Sequence, residues 1–304
     1  MHHRTRSGLA AVGMLLAALI WGIAFVIVKN TVDLVPPFYM MALRFTLAGG
    51  LMGLFFIKKM VRLKLEDLKA GLLLGIFLFV SYALQTVGIR YTTAGKNAFL
   101  TTLYVVLAPF LHWMIEKVRP GRKVIVAAGL ALVGIGLLSL NGDLSVNLGD
   151  GLTIGCGLTF AVHLVLVARY ARRHDPLVMT VLQLCVAALL SWAVAPFAEG
   201  GFPMGAFEPE ALGGLLYLGV LSTMVAFALQ NIGQKYVEPS VAAILLSCES
   251  LFGVLSSALF LHERMSGRMI AGCALLFFAI LLVEAKLPFG REKPAAKGPE
   301  GSGN

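Results

Sequence analysis

The chain has 304 residues, of which 58% are hydrophobic and only 13% are charged, so it is too apolar for a soluble globular protein. The net charge of +9 would suit a nucleic-acid-binding protein, but the basic residues are concentrated in short segments between apolar stretches. The composition therefore places nearly all of the chain in a lipid bilayer and argues against nucleic acid as a partner.

Apolar stretches of roughly twenty residues follow one another along the chain, and each predicts a membrane-spanning helix. They are about twice as long as a barrel strand, and backbone amides inside a bilayer must be hydrogen-bonded within their own segment. We therefore predict an all-α membrane protein. Its ten transmembrane helices are expected over residues 9–28, 38–57, 70–89, 97–115, 124–140, 150–168, 177–198, 211–230, 239–261 and 267–285.

The basic residues predict the orientation of these helices. With the N-terminus in the cytoplasm, 19 of the 25 Lys and Arg residues fall in cytoplasmic segments and 5 in outward segments, while Arg44 lies within a span. We expect residues 1–8 to be a cytoplasmic N-terminus and residues 286–304 a disordered cytoplasmic tail. The predicted location is the cytoplasmic (plasma) membrane. In a bacterium with two membranes, this is the cell inner membrane.

The second half of the chain repeats the first. An offset of 139 aligns Trp21 with Phe160 and Arg44 with Gln183, and an offset of 145 aligns residues 85–91 with residues 230–236. Because five spans is an odd number, the second copy must cross the bilayer in the opposite direction to the first. We predict two inverted five-helix repeats, at 9–140 and 150–285, joined by an outward linker at 141–149.

Some segments of the chain carry short motifs in a fixed order: Ala18-Leu-Ile-Trp-Gly-Ile-Ala-Phe25, Pro36-Pro37, Ala42-Leu-Arg-Phe45, and Glu249 with Leu261-His-Glu-Arg264. These motifs resemble those of the EamA-type family of the drug/metabolite transporter superfamily. The chain departs from the family at Ser250, where proline is frequent, and at His262, where glycine is frequent. The resemblance implies ten helices in two inverted repeats that carry small polar or amphipathic solutes, but it does not identify the cargo.

The first two spans contain two candidate contacts for a substrate. Trp21 presents a flat aromatic face that suits a ring-bearing or cationic substrate, although Trp is also common as an interfacial anchor. Arg44 lies one or two turns inside the second span. Its guanidinium has three possible roles: it holds a substrate carboxylate, balances Glu249, or extends along its stem to the interface.

The ends of the third and eighth spans carry matched glutamines, Gln85 and Gln230. These residues are candidates for gates that close a cavity alternately on its two sides. The competing interpretation is that they cap helix ends, which is the role we expect for Asn97 at the start of the fourth span.

The middle spans contribute Tyr104, His163 and Glu249. Glu249 is the leading candidate, because an isolated charge in the middle of an apolar helix is costly and must face a cavity, pair with a base, or stay protonated. A carboxyl exposed to each compartment in turn would carry a proton; the alternative is a structural hydrogen bond to a neighbouring helix. Tyr104 is its repeat partner and an aromatic candidate. His163 is a candidate for a group that titrates near neutrality, although a lone membrane histidine is more typical of a hydrogen bond between helices.

The sequence predicts no cofactor and no metal site. All four cysteines fall within spans, and no Gly-rich phosphate loop is present. Glu263 follows the ninth span beside Arg264, where its simplest role is to neutralise neighbouring basic residues.

The predicted function is secondary-active transport of small metabolites by alternating access. Export of amino acids or related amphipathic compounds is favoured from the family resemblance, and a proton-coupled cycle through Glu249 is a separate hypothesis. The expected partners are a small-molecule substrate and the lipid bilayer, with monomer and homodimer both open. The alternatives are an integral membrane enzyme or flippase acting on a lipid-linked intermediate, and a channel. An enzyme would need catalytic polar groups clustered at one interface, and a channel would need rings of like charge.

Overall fold

The computed structural model describes residues 2–116, 121–139, 146–170, 173–236 and 239–284. The predicted tail at 286–304, and residues 141–145 of the predicted linker, lie outside the described residues. The α-helices in these ranges are α1 (His2–Thr31), α2 (Pro37–Phe55), α3 (Ile57–Met60), α4 (Leu65–Ile89), α5 (Ala94–Thr101), α6 (Tyr104–Glu116), α7 (Arg122–Ser139), α8 (Leu148–Tyr170), α9 (Pro176–Glu199), α10 (Pro209–Leu216), α11 (Ala226–Tyr236), α12 (Pro239–Phe260) and α13 (Gly267–Glu284).

Two segments depart from α-helical geometry. A short 3₁₀ helix, Met204–Phe207, precedes α10, and a π-helical segment, Tyr217–Val225, joins α10 to α11 without a break. All regular elements in the described ranges are thus helical, which confirms the predicted all-α class. The helices also lie where the apolar stretches predict them, with two differences. Helix α1 begins seven residues before the predicted span, and the predicted fourth span, 97–115, is divided between α5 and α6.

Six helical stretches among the described residues are long and apolar enough to cross a membrane. They are Gly8–Thr31, Pro37–Phe55, Leu65–Ile89, Leu148–Val167, Pro176–Glu199 and Pro209–Gly233. Shorter apolar helices cover Ile125–Gly134, Leu245–Phe260 and Gly267–Ala279. Length and composition therefore support a multi-pass membrane fold, and the count of ten spans stays a prediction.

The helices run between two ends of the molecule, which we name after a lysine at each. At the Lys29 end, the Lys29 Nζ donates hydrogen bonds to the carbonyls of Ile89 and Thr92, at 2.7 and 2.8 Å, just where α1 and α4 finish. At the Lys59 end, the Lys59 Nζ lies 2.7 Å from the carboxylate of Asp175, which immediately precedes α9. These contacts fix the directions of α1, α4 and α9.

The direction of α8 is opposite to that of α1. Near its start, the Asp150 carboxylate lies 3.1 Å from the Lys96 Nζ, at the Lys29 end. Just beyond its finish, the His174 Nδ1 lies 2.6 Å from the carboxylate of Asp67, at the Lys59 end. The first long helix of the second half therefore starts at the end where the first long helix of the chain finishes.

The two halves of the chain pack against each other through interfaces that come in equivalent pairs. Helix α1 packs on α12 and α11, and correspondingly α8 packs on α5, α6 and α4. The contact of α4 with α9 is likewise equivalent to the contact of the π-helical segment with α2. Two further interfaces join equivalent helices to each other, α2 to α9 and α7 to α13. Exchanging the two halves therefore converts each of these interfaces into another of them or into itself.

Small residues allow three of these helices to touch along their backbones. A Cβ atom added to Gly22 of α1 would overlap the Phe252 Cβ and lie 2.8 Å from the Phe252 carbonyl carbon in α12. A Cβ on Gly253 would lie 2.5 Å from the Cβ of Ala98 in α5. Helix α12 is thus tightly packed between α1 and α5, whereas α6 packs on α7, α8 and α13.

Candidate functional site

A cavity lies between the two halves of the chain. It contains about 740 Å³ of space not filled by protein atoms, part of it open to solvent. Side chains from α1, α2, α4, α5, α6, α8, the π-helical segment, α11 and α12 line its wall. All seven residues that the sequence singled out are among them: Trp21, Arg44, Gln85, Tyr104, His163, Gln230 and Glu249.

Glu249 and Tyr104 meet at the cavity wall. The Tyr104 hydroxyl donates a hydrogen bond of 3.0 Å to the Glu249 Oε1, and the Glu249 side chain is only 6% exposed. The two residues occupy matched positions in the two halves, so the carboxyl contacts its own repeat partner. Both halves therefore help to hold the acidic group in place.

Arg44 points inward and not to the membrane interface. Its Nε and Nη2 atoms donate hydrogen bonds to the Thr223 Oγ1 and Ser222 Oγ, at 3.0 and 3.1 Å. The guanidinium carbon lies 4.8 Å from the ring centroid of Tyr82, in cation–π contact, and the residue is 2% exposed. Of the three roles weighed for Arg44, extension to the interface is wrong, because these contacts fix the head group at the cavity wall.

Aromatic rings form most of the apolar wall, and their arrangement follows the internal repeat. The rings of Trp21 and Phe227 meet edge to face, with centroids 5.4 Å apart and an interplanar angle of 71°. The matched pair, Phe160 and Tyr82, has a centroid distance of 5.5 Å and an angle of 72°. The Trp21 Nε1 also donates a 2.8 Å hydrogen bond to the carbonyl of Ser222.

His163 is hydrogen-bonded to the residue that matches Arg44. Its Nε2 lies 2.8 Å from the Oε1 of Gln183, which links α8 to α9 at a buried position. Thus Arg44 of α2 contacts the π-helical segment of the other half, whereas Gln183 of α9 contacts α8 of its own half.

Gln85 and Gln230 both face the cavity. The Gln85 Nε2 donates a 3.2 Å hydrogen bond to the Thr101 Oγ1 of α5. The expectation that Asn97 caps a helix is wrong, because Thr93 is the N-cap of α5 and accepts a hydrogen bond from the Lys96 N–H. Instead, the Asn97 Nδ2 donates to the Thr153 Oγ1 at 2.8 Å and to the Gln85 carbonyl at 3.3 Å.

The predicted role of Glu263 is also wrong. Its two carboxylate oxygens accept hydrogen bonds from the N–H groups of Ala94 and Gly95, at 2.9 and 3.1 Å, in the first turn of α5. These N–H groups have no hydrogen-bond partner within their own helix, so the carboxylate satisfies them. The positive end of the helix dipole in turn stabilises the negative charge of the carboxylate. Glu263 therefore ties the end of α12 to the start of α5.

Glu199 makes the same kind of contact at another helix of the first half. Its Oε1 and Oε2 accept hydrogen bonds from the N–H groups of Phe38 and Tyr39, at 2.8 and 3.0 Å, at the start of α2. Two carboxylates of the second half thus bind two helix N-termini of the first half. Both contacts are at the Lys29 end, where they hold the halves together.

The sequence did not single out several residues that line or shape the site. They are Ser222, Thr223, Tyr82, Phe160 and Phe227. Phe160 and Phe227 look like ordinary apolar residues of a span, and only the repeat alignment, which matches Phe160 to Trp21, gave a signal. The contact of Arg44 with Ser222 and Thr223 crosses about 180 positions and could not be read from local sequence.

Comparison with known proteins gives a consistent result for both halves. The model of the EamA-like transporter family matches residues 8–140 and again residues 147–285. An uncharacterized transporter of Archaeoglobus fulgidus is 35% identical over 279 residues, covering 91% of this chain and 86% of that protein. A probable amino-acid metabolite efflux pump of Escherichia coli is 23% identical over 282 residues, covering 88% and 92% of the two chains.

A solved structure shares the fold. This crystal structure superposes with a TM-score of 0.66 over 90% of this chain and 96% of the other, at 20% sequence identity. At that level of identity the likeness concerns the fold alone.

Proposed function

This chain belongs to the EamA-like transporter family, and from that membership we propose that it is a secondary-active exporter of amino acids or related amphipathic compounds. It is a multi-pass membrane transporter and not an enzyme. The observation that carries the proposal is the cavity between the two halves, where polar residues from both halves face one space. The naming of the Escherichia coli relative as a probable amino-acid metabolite efflux pump supports this class of cargo.

The proposed architecture is ten spans in two inverted repeats, at 9–140 and 150–285, with the linker at 141–149 on the outer face. The opposite directions of α1 and α8, and the equivalent packing of the two halves, support this proposal. The basic residues favour a cytoplasmic Lys59 end and a plasma-membrane location with both termini inside. Monomer and homodimer both suit this arrangement.

The proposed mechanism is alternating access. The cavity is the substrate site, and the ends of the two halves separate in turn, with Gln85 towards the Lys29 end and Gln230 towards the Lys59 end as gate residues. In the present structure the Lys29 end is held together by Glu199 and Glu263. Opening at that end requires these carboxylates to leave the helix N-termini that they cap.

Glu249 is the proposed proton carrier. It is buried at the cavity wall, and its hydrogen bond from Tyr104 comes from the opposite half of the molecule. Movement of one half against the other would break this bond and change the exposure of the carboxyl, which is the coupling that a proton-driven cycle needs.

The proposal is tested by transport into proteoliposomes. A thermal-shift screen of the purified protein against amino acids first identifies ligands, since a ligand that binds the folded state raises its melting temperature. An imposed pH gradient should then drive uphill uptake of the ligand. The Glu249→Gln variant should lose this uphill uptake, whereas the control Glu210→Gln, at an exposed site in α10, should keep it. Uphill uptake by wild type that ignores the gradient would contradict proton coupling, and absence of any flux would contradict the transport proposal.

A further inference from the structure

Arg44 is a permanent positive charge at the cavity wall that neutral groups hold in place. Its hydrogen-bond partners are the hydroxyls of Ser222 and Thr223, and Tyr82 covers one face of its guanidinium. Within the part of the chain that the structure describes, no carboxylate lies within 4.0 Å of it. A guanidinium stays protonated in proteins, so this charge is not neutralised by losing a proton.

The guanidinium also has donors to spare. The two hydrogen bonds to Ser222 and Thr223 use two of its five N–H groups. Arg44 lines the cavity although it is 2% exposed. A buried guanidinium with unused donors at a cavity wall is arranged to bind an acceptor that enters the cavity, and an anion is the strongest such acceptor.

The charge of Arg44 has no counterpart at the matched position of the second half. The matched position in the second half is the neutral Gln183, which is also buried and makes a side-chain hydrogen bond to His163. The same helix position therefore packs with an amide in one half and with a guanidinium in the other. The charge has to be explained by something that the first half does and the second half does not.

The π-helical segment presents the groups that hold Arg44. The Thr223 Oγ1 donates to the carbonyl of Leu218, five residues earlier, and the Ser222 carbonyl accepts the hydrogen bond from the Trp21 ring. π-Helical turns are frequently found at functional sites. Here the segment fixes a cation and an aromatic ring side by side.

We infer that Arg44 is an anion subsite and that it selects substrates carrying a carboxylate attached to an apolar, ring-sized body. This inference rests on the proposed function of the cavity as the substrate site. Among the described residues that line the cavity, Arg44 is the one Lys or Arg side chain. Glu249 lines the same cavity but forms no ion pair with Arg44, so the guanidinium is left to balance one negative charge, which suits a carboxylate better than a phosphate dianion. The rings of Trp21, Tyr82 and Phe227 supply the apolar surface for the body of the substrate.

The test uses two probes that differ in charge and little in shape, phenylacetate and phenylacetamide. Their affinities for the purified full-length protein are measured by calorimetry and by thermal shift. Wild type should bind phenylacetate at least tenfold more tightly than phenylacetamide. In Arg44→Gln, which installs the residue of the second half, the ratio should fall to about one, and Arg44→Lys should keep part of the preference.

Arg90→Gln is the matched control, because it removes the same charge from an exposed site at the end of α4. It should leave the ratio unchanged. Equal binding of the two probes by wild type, no binding of phenylacetate, or an unchanged ratio in a folded Arg44→Gln protein would each overturn the inference. A purely structural Arg44 would lower the melting temperature when replaced but would alter both affinities alike.

The failure of this inference can be told apart from the failure of the proposed function. Flux of a solute without a preference for carboxylates would leave transport standing and remove the anion subsite. Charge-selective binding without flux in proteoliposomes would keep the subsite and remove the transport proposal.

Discussion

The hydrogen bond between Tyr104 and Glu249 is the contact on which the residue-scale account depends. It joins matched positions of the two halves at 3.0 Å, at a cavity wall where aromatic rings lie beside polar side chains. A carboxyl in such surroundings needs a partner, because burying an unpaired polar group costs on the order of 2 kcal/mol or more. Here the partner belongs to the other half, so movement of one half against the other would break the hydrogen bond.

Tyr104→Phe should slow transport about tenfold and alter its pH dependence. The substitution removes the hydroxyl that donates to Glu249, and a hydrogen bond to a carboxylate is worth about 1.5 kcal/mol or more, which corresponds to a factor of ten. Initial rates in proteoliposomes at several pH values provide the measurement. Tyr91→Phe is the control, because Tyr91 is 53% exposed and does not line the cavity. Identical pH profiles for wild type and Tyr104→Phe would remove Tyr104 from the mechanism.

At the scale of helices, the contact between α1 and α12 depends on the absence of a side chain at Gly22. Gly22→Ala should lower the free energy of unfolding in detergent by about 1–3 kcal/mol, since the new methyl group overlaps backbone and not a movable side-chain end. Gly151→Ala, at a helical glycine with open space around its added Cβ, is the control and should be neutral or slightly stabilising. Equal melting temperatures for the two variants would show that α1 and α12 are less closely packed than described.

The start of α9 is stabilised by Asp175, which caps the helix and pairs with Lys59. Its Oδ1 accepts the Leu177 N–H at 2.9 Å. Burial alone would raise the pKa of Asp175, but the hydrogen bonds from Lys59 and the Leu177 N–H lower it below its ordinary value. A carboxyl whose pKa is lowered by folding stabilises the folded state above its unfolded pKa, near 4, and loses that contribution as the pH falls through the folded value.

Asp175→Ala should therefore cost about 1 kcal/mol at pH 7, the usual value for a lost N-cap, and much less near pH 2. Chemical unfolding in detergent at the two pH values measures the difference. Lys59→Met removes only a partly exposed ion pair and should cost less than Asp175→Ala at pH 7. A cost for Asp175→Ala that grows towards low pH would contradict the assignment.

Glu199 and Glu263 cap helices of the opposite half, and we propose that these contacts close the cavity at the Lys29 end. Glu263→Gln keeps one oxygen as an acceptor but loses the charge, so it should weaken the hold on α5 and favour opening at the Lys29 end. Hydrogen exchange of the α5 backbone should rise severalfold in this variant while exchange in α9 stays unchanged. Exchange that stays as slow as in wild type would mean that Glu263 does not hold the closure.

At the scale of the whole molecule, the features that sequence could predict are those that the bilayer imposes. Apolar stretches in a bilayer have to be helical, and polar residues within them have to avoid lipid. The seven candidates from Trp21 to Glu249 could therefore be identified from sequence, and all of them line one cavity.

The features that sequence could not predict depend on contacts between the halves. The role of Glu263 could not be predicted because its partners, the N–H groups of Ala94 and Gly95, lie about 170 positions away and backbone groups have no sequence signature. The environment of Arg44 depends on a π-helical segment, whose extra residue per turn has no pattern of its own in an apolar stretch. Only the fold brings these groups together.

In the proposed mechanism, one cavity opens in turn to the two faces of the membrane. The most direct measurement uses Gln85→Cys and Gln230→Cys, singly and together, in a protein without its four native cysteines, labelled with a membrane-impermeant maleimide in sealed vesicles of both orientations. We expect Gln85→Cys to react only from the membrane side on which the Lys29 end lies, and Gln230→Cys only from the side on which the Lys59 end lies. In the double variant, a bulky label at Gln230→Cys should hold that end open and suppress reaction at Gln85→Cys. Reaction of both cysteines from the same face, or of both at once without mutual suppression, would contradict the account.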